Sequence, residues 1–217
     1  MPGDKKQQLV VVGCGPGHPD YMFPAAVKAV FECEILFGAS RLLRLFPDFP
    51  GEIYNVGANI DSVVREIVKK SRNRRVGVLV SGDPGCFSLA ECIKRKMGRR
   101  ACKIIPGISS AQLALSRLGL SWTEARVFSV HARQKPELET ILCERLVVLL
   151  LGKDYFWIDW KWEKITDLFY CHYCRDLGFS EEDIVQFQNI HDLQELNPLN
   201  ALLVLEKKDE HGSGRVI

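Results

Sequence analysis

Short apolar runs alternate along the first half of the chain with amphipathic stretches whose apolar positions recur at helical spacing. The apolar runs end in clusters of Gly and Pro, and several amphipathic stretches begin with a residue suited to a helix N-terminus. This alternation is typical of a parallel α/β sheet. The pattern predicts strands over 8–13, 34–38, 52–57, 75–85 and 102–107, and helices over 24–33, 40–46, 59–73, 86–97 and 109–119.

A second α/β run follows in the other half of the chain. We expect two α/β domains, residues 1–118 and 119–217, with LGLSW (118–122) as the hinge. The pattern predicts strands over 125–132, 145–152, 183–190 and 200–208, and helices over 136–144 and 163–178.

Composition and charge exclude several classes of function. The 217 residues are 47% hydrophobic and carry a formal net charge of +2, so no strong field favours nucleic acid or a membrane surface. No apolar run approaches the roughly 20 residues of a membrane helix. The basic run KKSRNRR (69–75) is interpreted as a helix end and loop in water. MPGDKKQQ at the start lacks the features of a secretory signal, and we expect a cytoplasmic protein.

The eight cysteines lie mostly inside apolar periodic segments, where cysteine behaves as a small hydrophobic residue. In a reducing compartment we expect free thiols. CHYC (171–174) has the C-x-x-C spacing of a metal site, with His172 between the cysteines. No second ligand pair follows it, so we expect no metal and interpret the segment as a partly buried helix with two thiols.

Unusual turns follow three predicted strands: GCGPGHPD, SGDPGCF and PGISSAQ. Each combines Gly with Pro, which brings backbone close to whatever binds there in a fixed geometry. Ligands of open α/β sheets bind beyond the carboxyl ends of the strands. The three turns together therefore predict a ligand site at that edge of the first sheet.

A dinucleotide is the first ligand to consider, because Gly13 and Gly15 begin a G-x-G-x-x-G pattern after a strand. The third glycine position holds His18, however, and Pro19 follows where a helix should begin. The next strand ends in LFGAS, without the acidic residue that would bind a ribose hydroxyl. These departures argue against a nicotinamide-dependent oxidoreductase.

Four motifs in order resemble the tetrapyrrole (corrin/porphyrin) methylase family: VVGCGPGHPDYMFPAA, VSGDPGCFSLA, IIPGISSAQLALSRLGLSW and VFSVHAR. The resemblance spans residues 8 to about 133, and YCRDLGFSEEDI (173–184) and LNPLNALLVLE (196–206) also resemble later segments of the family. The stretch 153–169 departs from it, with Trp157, Trp160 and Trp162 close together.

The resemblance implies a two-domain α/β fold, each domain a mostly parallel or mixed sheet flanked by helices, with the active-site cleft between them. It implies S-adenosyl-L-methionine as methyl donor, a tetrapyrrole (precorrin) substrate and a homodimer. The chain is most similar to members that methylate carbon 5 of a corrin precursor in cobalamin biosynthesis. Because the sequence stops at Ile217, we expect a separate subunit to methylate carbon 15 and decarboxylate. The alternatives are a methylase of another precorrin intermediate and a cofactor-binding homologue with an altered pocket.

The resemblance also assigns residues to the site. The side-chain-poor wall beside the donor and the macrocycle would be formed by Gly13, Gly15 and Gly17, with Arg133 as a further substrate residue. A glycine that relatives have near Gln188 is not evident. Contacts with the methyl donor are implied for Pro16, Ser81, Gly82, Asp83, Cys86, Ser109, Ser110 and Leu151.

Several candidate roles have a structural alternative. A proton must leave the substrate, and His131 or Asp20 could accept it; His131 could instead bond backbone at a strand end, and Asp20 could cap the helix starting at Pro24. Asp83 could contact the donor or bond its own turn. Arginine suits the acetate and propionate groups of a tetrapyrrole. The candidates are Arg41, Arg44 and Arg133, and a solvated helix face would explain Arg41 and Arg44 equally well.

Overall fold

The computed structural model describes residues 8–57, 59–98, 102–130, 136–152, 160–189 and 201–208. Within it the chain separates into two compact units that divide between Ser109 and Ser110. The sequence predicted the division later, after residue 118. The helix Ser110–Arg117 (α5) explains the difference, because it contacts the strand Ala201–Lys207 (β10) of the second unit.

A parallel sheet forms the centre of the first unit. Its five described strands are Leu9–Gly13 (β1), Ile35–Gly38 (β2), Glu52–Asn55 (β3), Val76–Val80 (β4) and Cys102–Ile105 (β5). They are ordered β3-β2-β4-β1-β5, and every described pair is parallel. All five lie inside the strands predicted from the apolar runs, and the prediction of a parallel α/β sheet is confirmed.

Helices cover both faces of this sheet, so β1 and β4 are buried along their whole length. Val10 and Val12 face one core, against the helices Pro24–Phe31 (α1) and Ser40–Leu43 (α2). Leu9 and Val11 face the other core, against the helices Ile60–Lys70 (α3) and Leu89–Met97 (α4). A strand buried on both faces must be apolar at successive positions, which LVVVG and VGVLV are.

The second unit contains a mixed sheet. Besides β10, its described strands are Ala125–Ser129 (β6), Leu146–Leu150 (β7), Phe169–Arg175 (β8) and Asp183–Phe187 (β9), and its described helices are Leu138–Cys143 (α6) and Trp162–Leu168 (α7). The strands are ordered β6-β7-β10-β8-β9. The first two are parallel, and the other neighbours are antiparallel.

The tryptophans that depart from the family pattern fill the core of this second unit. Trp160 and Trp162 are buried, and their ring centroids lie 5.7 Å apart. Trp162 also packs against Phe187 of β9, at 6.2 Å between ring centroids. Trp157 lies outside the described residues. The two described rings therefore contribute buried apolar area to one sheet face, alongside Ile141 and Ile165.

The prediction of a helix over 163–178 is wrong beyond Leu168. Helix α7 ends there, and FYCHYCR continues as strand β8, paired on both edges with β10 and β9. Cys171 and Cys174 are three residues apart on a strand, so their side chains leave opposite faces of the sheet. They cannot share a metal ion, and both are buried. All eight cysteines are free thiols.

His172 lies between these cysteines, and its partial burial predicts that the stability of the fold depends on pH. Burial lowers the pKa of its imidazole, and its strand neighbours Val204 and Gln186 are uncharged. The unfolded chain takes up a proton near pH 6.5, whereas folded His172 resists it. The contribution of His172 to the free energy of unfolding is therefore fully present above about pH 6.5. It falls as the pH drops below that value, by at most about 1.4 kcal/mol per pH unit.

The measurement is urea unfolding of the wild type and of His172→Gln between pH 7.5 and pH 5.5. We expect a shallower loss of unfolding free energy in the variant. Equal slopes for the two proteins would contradict the assignment to His172.

No helix among the described residues is long and apolar enough to cross a membrane.

Candidate functional site

The three Gly-Pro turns of the sequence leave neighbouring strands of the first sheet. Strands β4, β1 and β5 are adjacent in that order and parallel, so their carboxyl ends lie at one edge. The turn after β1 (13–18), the turn after β4 (81–88) and the turn after β5 (106–109) therefore come together there. We call these the glycine loop, the aspartate loop and the third loop.

Backbone hydrogen bonds join the glycine loop to the aspartate loop beyond the strands. The Cys14 N–H donates to the Val80 carbonyl at 2.9 Å, and the Gly82 N–H donates to the Gly15 carbonyl at 2.7 Å. Gly15 and Gly82 form a short antiparallel bridge where the parallel strands have ended. The edge of the sheet is thus extended by backbone alone.

Gly13 and Gly107 lie where three backbones meet. A Cβ added to Gly13 would lie 2.6 Å from the Gly107 nitrogen and 2.8 Å from the Gly82 carbonyl oxygen. A Cβ added to Gly107 would collide with the same carbonyl and with the backbone of Gly13. Close packing between the loops therefore requires glycine at both positions, independently of any bound molecule.

Gly15 and Gly17 are required by their backbone conformation. Their φ angles are +58° and +99°, in the region that residues with a Cβ rarely adopt. Gly17 lies directly under the guanidinium of Arg41, which donates from Nη1 to the Pro16 carbonyl at 3.0 Å. The glycine loop therefore makes two turns that only glycine adopts readily.

Asp83 links the aspartate loop to the third loop. One carboxylate oxygen, Oδ1, accepts the Gly85 N–H at 2.6 Å, within its own turn. The other, Oδ2, accepts the Gly107 N–H at 3.1 Å. The turn interpretation of Asp83 therefore describes half of its contacts, and the other half fixes the spacing of two loops at the candidate site.

Cys86 and Phe87 complete the aspartate loop before Ser88 caps helix α4 by accepting the Ala90 N–H. Burial, and then the negative charge of Asp83, raise the pKa of the Cys86 thiol. Cys86 is therefore protonated at neutral pH and is not a nucleophile. Phe87 has φ +47° and is 59% exposed, a costly backbone state for a large apolar residue in water.

Asp20 does not cap helix α1, and that alternative is wrong. Phe23 occupies the N-cap position without a side-chain bond, and Asp20 lies in the 3-10 turn Pro19–Tyr21. Its side chain is 83% exposed and comes within 3.7 Å of His18 Nδ1. That nitrogen accepts the Asp20 N–H at 3.3 Å, so the proton of a neutral imidazole is on Nε2.

The remaining assigned residues are distributed over both units. In the first unit Ser81 is exposed and Ser109 is buried. In the second, Ser110 begins α5, and Leu151 is buried in the core with its N–H donated to Ala201. His131 and Arg133 lie outside the described residues. The described part of the chain contains no group of three or more His, Cys, Asp or Glu that could hold a metal ion.

The sequence profile described as Tetrapyrrole (Corrin/Porphyrin) Methylases matches residues 8–191. The chain belongs to this family. The match includes all three loops of the candidate site. It agrees with the motifs from which the sequence predicted the family.

Curated relatives within the family have related names. A cobalt-precorrin-7 C(5)-methyltransferase of Salmonella typhimurium is 34% identical over 125 residues, which are 58% of this chain and 62% of that protein. A precorrin-6Y C(5,15)-methyltransferase [decarboxylating] of Sinorhizobium sp is 32% identical over 126 residues, 58% of this chain and 30% of that protein. The matched part is thus less than two thirds of either relative.

Solved structures of the family have the same fold. The precorrin-6Y methylase of Archaeoglobus fulgidus has a TM-score of 0.74 at 21% identity, covering 93% of this chain and 100% of the other. The uroporphyrin-III C-methyl transferase of Thermus thermophilus, complexed with S-adenosyl homocysteine, has a TM-score of 0.69 at 20% identity, with coverage of 91% and 96%. The predicted tetrapyrrole methylase fold is confirmed.

Two features of the site were missed by sequence reasoning. Gly107 stands in the quoted motif PGISSAQ but was not assigned a role, although its N–H and its lack of a Cβ hold the third loop in place. Phe87 falls within the predicted helix over 86–97, but α4 begins at Leu89, and Phe87 lies between the turn and the Ser88 cap. A large apolar residue directly before a serine cap is the pattern that could have indicated it.

Proposed function

We propose that this protein is an S-adenosylmethionine-dependent methyltransferase that methylates carbon 5 of a corrin precursor, either cobalt-precorrin-7 or precorrin-6Y, in cobalamin biosynthesis. The observation on which the proposal rests is the backbone-lined edge formed by the glycine, aspartate and third loops in a member of this family. The likeness to the C(5)-methyltransferase of Salmonella supports carbon 5 as the position.

The described residues fit such a donor and a flat macrocycle. Gly15 and Gly17 add no side chain of their own to the glycine loop, as a planar substrate requires, whereas Gly13 is packed against Gly107 and Gly82. A Cβ added to Gly82 would meet only Ser109 Cα, at an ordinary 3.6 Å. Packing therefore leaves room for at least a methyl group beside the aspartate loop at Gly82. We assign the methyl donor to Pro16, Ser81, Gly82, Asp83, Cys86, Ser109, Ser110 and Leu151.

The bound donor supplies an electrophilic methyl group on a sulfonium. Its leaving group is neutral, so little acid–base work is required of the protein. The contribution of this chain is to hold the nucleophilic carbon in line and within about 3–3.5 Å of the methyl. The rigid backbone contacts among Gly13, Gly82 and Gly107 are suited to that task.

One proton leaves the substrate after methylation. We propose Asp20 or His131 as the acceptor, and the exposed carboxylate of Asp20 reaches solvent, where a proton can be released. Cys86 is unsuited, because burial and Asp83 hold its thiol protonated.

Three further proposals follow from the family. We propose a homodimer, a cytoplasmic location, and a separate subunit that methylates carbon 15 with decarboxylation. Sedimentation of the purified protein tests the dimer, and a monomer at micromolar concentration would contradict it.

A second candidate is methylation of another precorrin intermediate. The observation that favours this candidate is the similarity to a cobalt-precorrin-4 C(11)-methyltransferase of Methanocaldococcus jannaschii, which is 27% identical over 153 residues. The position of the new methyl group separates the two candidates.

The test is incubation with cobalt-precorrin-7 and methyl-labelled S-adenosylmethionine, followed by NMR and mass spectrometry of the product. We expect one added methyl, at carbon 5, and no carbon dioxide. Micromolar binding of S-adenosylhomocysteine by calorimetry is the accompanying result. Two methyl groups, decarboxylation, or methylation only of an earlier precorrin would overturn the proposal. Absence of S-adenosylhomocysteine binding would favour a homologue with an altered pocket.

A further inference from the structure

Arg41 projects from helix α2 onto the glycine loop. Its side chain is partly buried, and Nη1 donates to the Pro16 carbonyl at 3.0 Å. The guanidinium lies so close to Gly17 that a Cβ there would be 2.5 Å from Nη1. Arg41 is therefore fixed beside the residues assigned to donor and substrate. Arg44, the next arginine along the chain, is exposed.

The charge of Arg41 is not neutralised by the described part of the protein. None of the carboxylates there forms an ion pair with it. The Cys14 thiol is close enough to interact electrostatically with Arg41, but burial raises the pKa of Cys14 to about 12, so the thiol is uncharged. Burial also lowers the pKa of Arg41, although a guanidinium stays protonated in proteins.

Other partly buried arginines of the chain have carboxylate partners. Arg75 pairs with Glu32 at 2.6 Å, and Arg74 pairs with Glu34 at 3.3 Å. Arg175 pairs with Asp183 at 3.3 Å. Arg41 has the same partial burial but donates only to a carbonyl among these residues. A guanidinium has five N–H groups, and those not used by Pro16 can donate to both oxygens of a carboxylate.

We propose that Arg41 binds a peripheral acetate or propionate carboxylate of the tetrapyrrole and so orients the macrocycle over the glycine loop. This inference rests on the proposed function. The methyl donor also has a carboxylate, but its sulfonium and ammonium groups are cations that Arg41 repels. The tetrapyrrole has several carboxylates and no compensating cation at its rim, so it is the better partner.

The experiment compares Arg41→Gln and Arg41→Lys with the wild type and with Arg72→Gln, an exposed arginine of the loop after α3. It measures the KM for cobalt-precorrin-7, the Kd for S-adenosylhomocysteine and the thermal midpoint. Direct binding of cobyrinic acid and of its methyl ester tests the carboxylate without requiring the reaction. Repeating the KM at several salt concentrations tests the charge.

For Arg41→Gln we expect a KM for cobalt-precorrin-7 raised about tenfold to hundredfold, as for loss of one charge-assisted bond. Arg41→Lys should recover part of it, and Arg72→Gln should equal the wild type. The Kd for S-adenosylhomocysteine should stay within twofold, and the dependence of KM on salt should weaken. The wild type should bind cobyrinic acid more tightly than its ester, and Arg41→Gln should lose that preference.

Two results would overturn the inference. One is an unchanged KM and an unchanged preference for cobyrinic acid in a folded Arg41→Gln. The other is an equal loss of S-adenosylhomocysteine and tetrapyrrole affinity, which would mean that Arg41 only supports the Pro16 carbonyl. Failure of the proposed function gives a different pattern, because the wild type itself would then not methylate cobalt-precorrin-7. The preference for free carboxylates would still report on Arg41 in that case.

Discussion

Replacing Gly13 with alanine is expected to destabilise the first unit by about 3 kcal/mol or more, because three atoms lie within 2.8 Å of the new Cβ. They are the Gly107 nitrogen, the Gly82 carbonyl oxygen and Pro84 Cδ. Two of them are backbone and cannot move as a side chain does, so the three loops must separate. For a chain of this size the loss corresponds to a thermal midpoint roughly 6–12 °C lower.

The matched control is Gly57→Ala. Its added Cβ meets no heavy atom within 4 Å, and Gly57 does not have a left-handed φ. We expect that variant to unfold within about 0.5 kcal/mol of the wild type. Calorimetric unfolding of both proteins, with the Kd for S-adenosylhomocysteine below the transition, checks the prediction. Binding should weaken at least tenfold in Gly13→Ala alone. A Gly13→Ala variant with wild-type midpoint and affinity would show that the close approach of the loops is unimportant.

The first sheet could be predicted from the sequence because its strands are buried on both faces. LVVVG and VGVLV have no polar position, and each ends at a Gly-rich turn. The order of the strands within the sheet could not be read from these runs. That β4, β1 and β5 are adjacent is a property of the crossover connections, and it is what brings the three turns together.

The error at β8 has a physical cause. The buried positions Phe169, Cys171 and Tyr173 alternate with more exposed Tyr170 and His172, which is the period of a strand. Tyrosine occupies both an exposed position (Tyr170) and a buried one (Tyr173), so the alternation is weak in the sequence. Helix α7 directly precedes β8, and no Gly or Pro marks the end of the helix. Pairing with β10 and β9 decides the outcome, and it depends on residues far along the chain.

Site residues were predictable as a set of loops rather than as contacts. The sequence identified Asp83 and Gly13 but not the Gly107 nitrogen that lies against both, because it belongs to the third loop, more than 20 residues beyond Asp83. The sequence likewise could not distinguish Arg41 from Arg44, because the difference is that Arg41 is partly buried and Arg44 is exposed. Each depends on a contact distant in sequence, and periodicity reports only local structure.

Replacing Asp83 with asparagine is expected to lower the free energy of unfolding by about 1–3 kcal/mol, because a buried N–H loses its acceptor. Oδ1 and Oδ2 each accept a backbone N–H, from Gly85 and from Gly107. Asparagine keeps one oxygen and turns an N–H₂ toward the other donor. The turn bond to Gly85 is local and survives, so the link to Gly107 is the one that breaks.

The same change is expected to raise the Kd for S-adenosylhomocysteine about tenfold, since the third loop is no longer held against Gly82. Asp48→Asn, an exposed aspartate in a surface loop, is the control and should leave both quantities unchanged. The measurements are urea unfolding and calorimetric titration of the same preparations. If folded Asp83→Asn binds S-adenosylhomocysteine as the wild type does but is less stable, Asp83 serves the loops and not the donor. If stability is also unchanged, the Gly107 bond contributes nothing, and the aspartate loop must be held by the Gly15–Gly82 bridge instead.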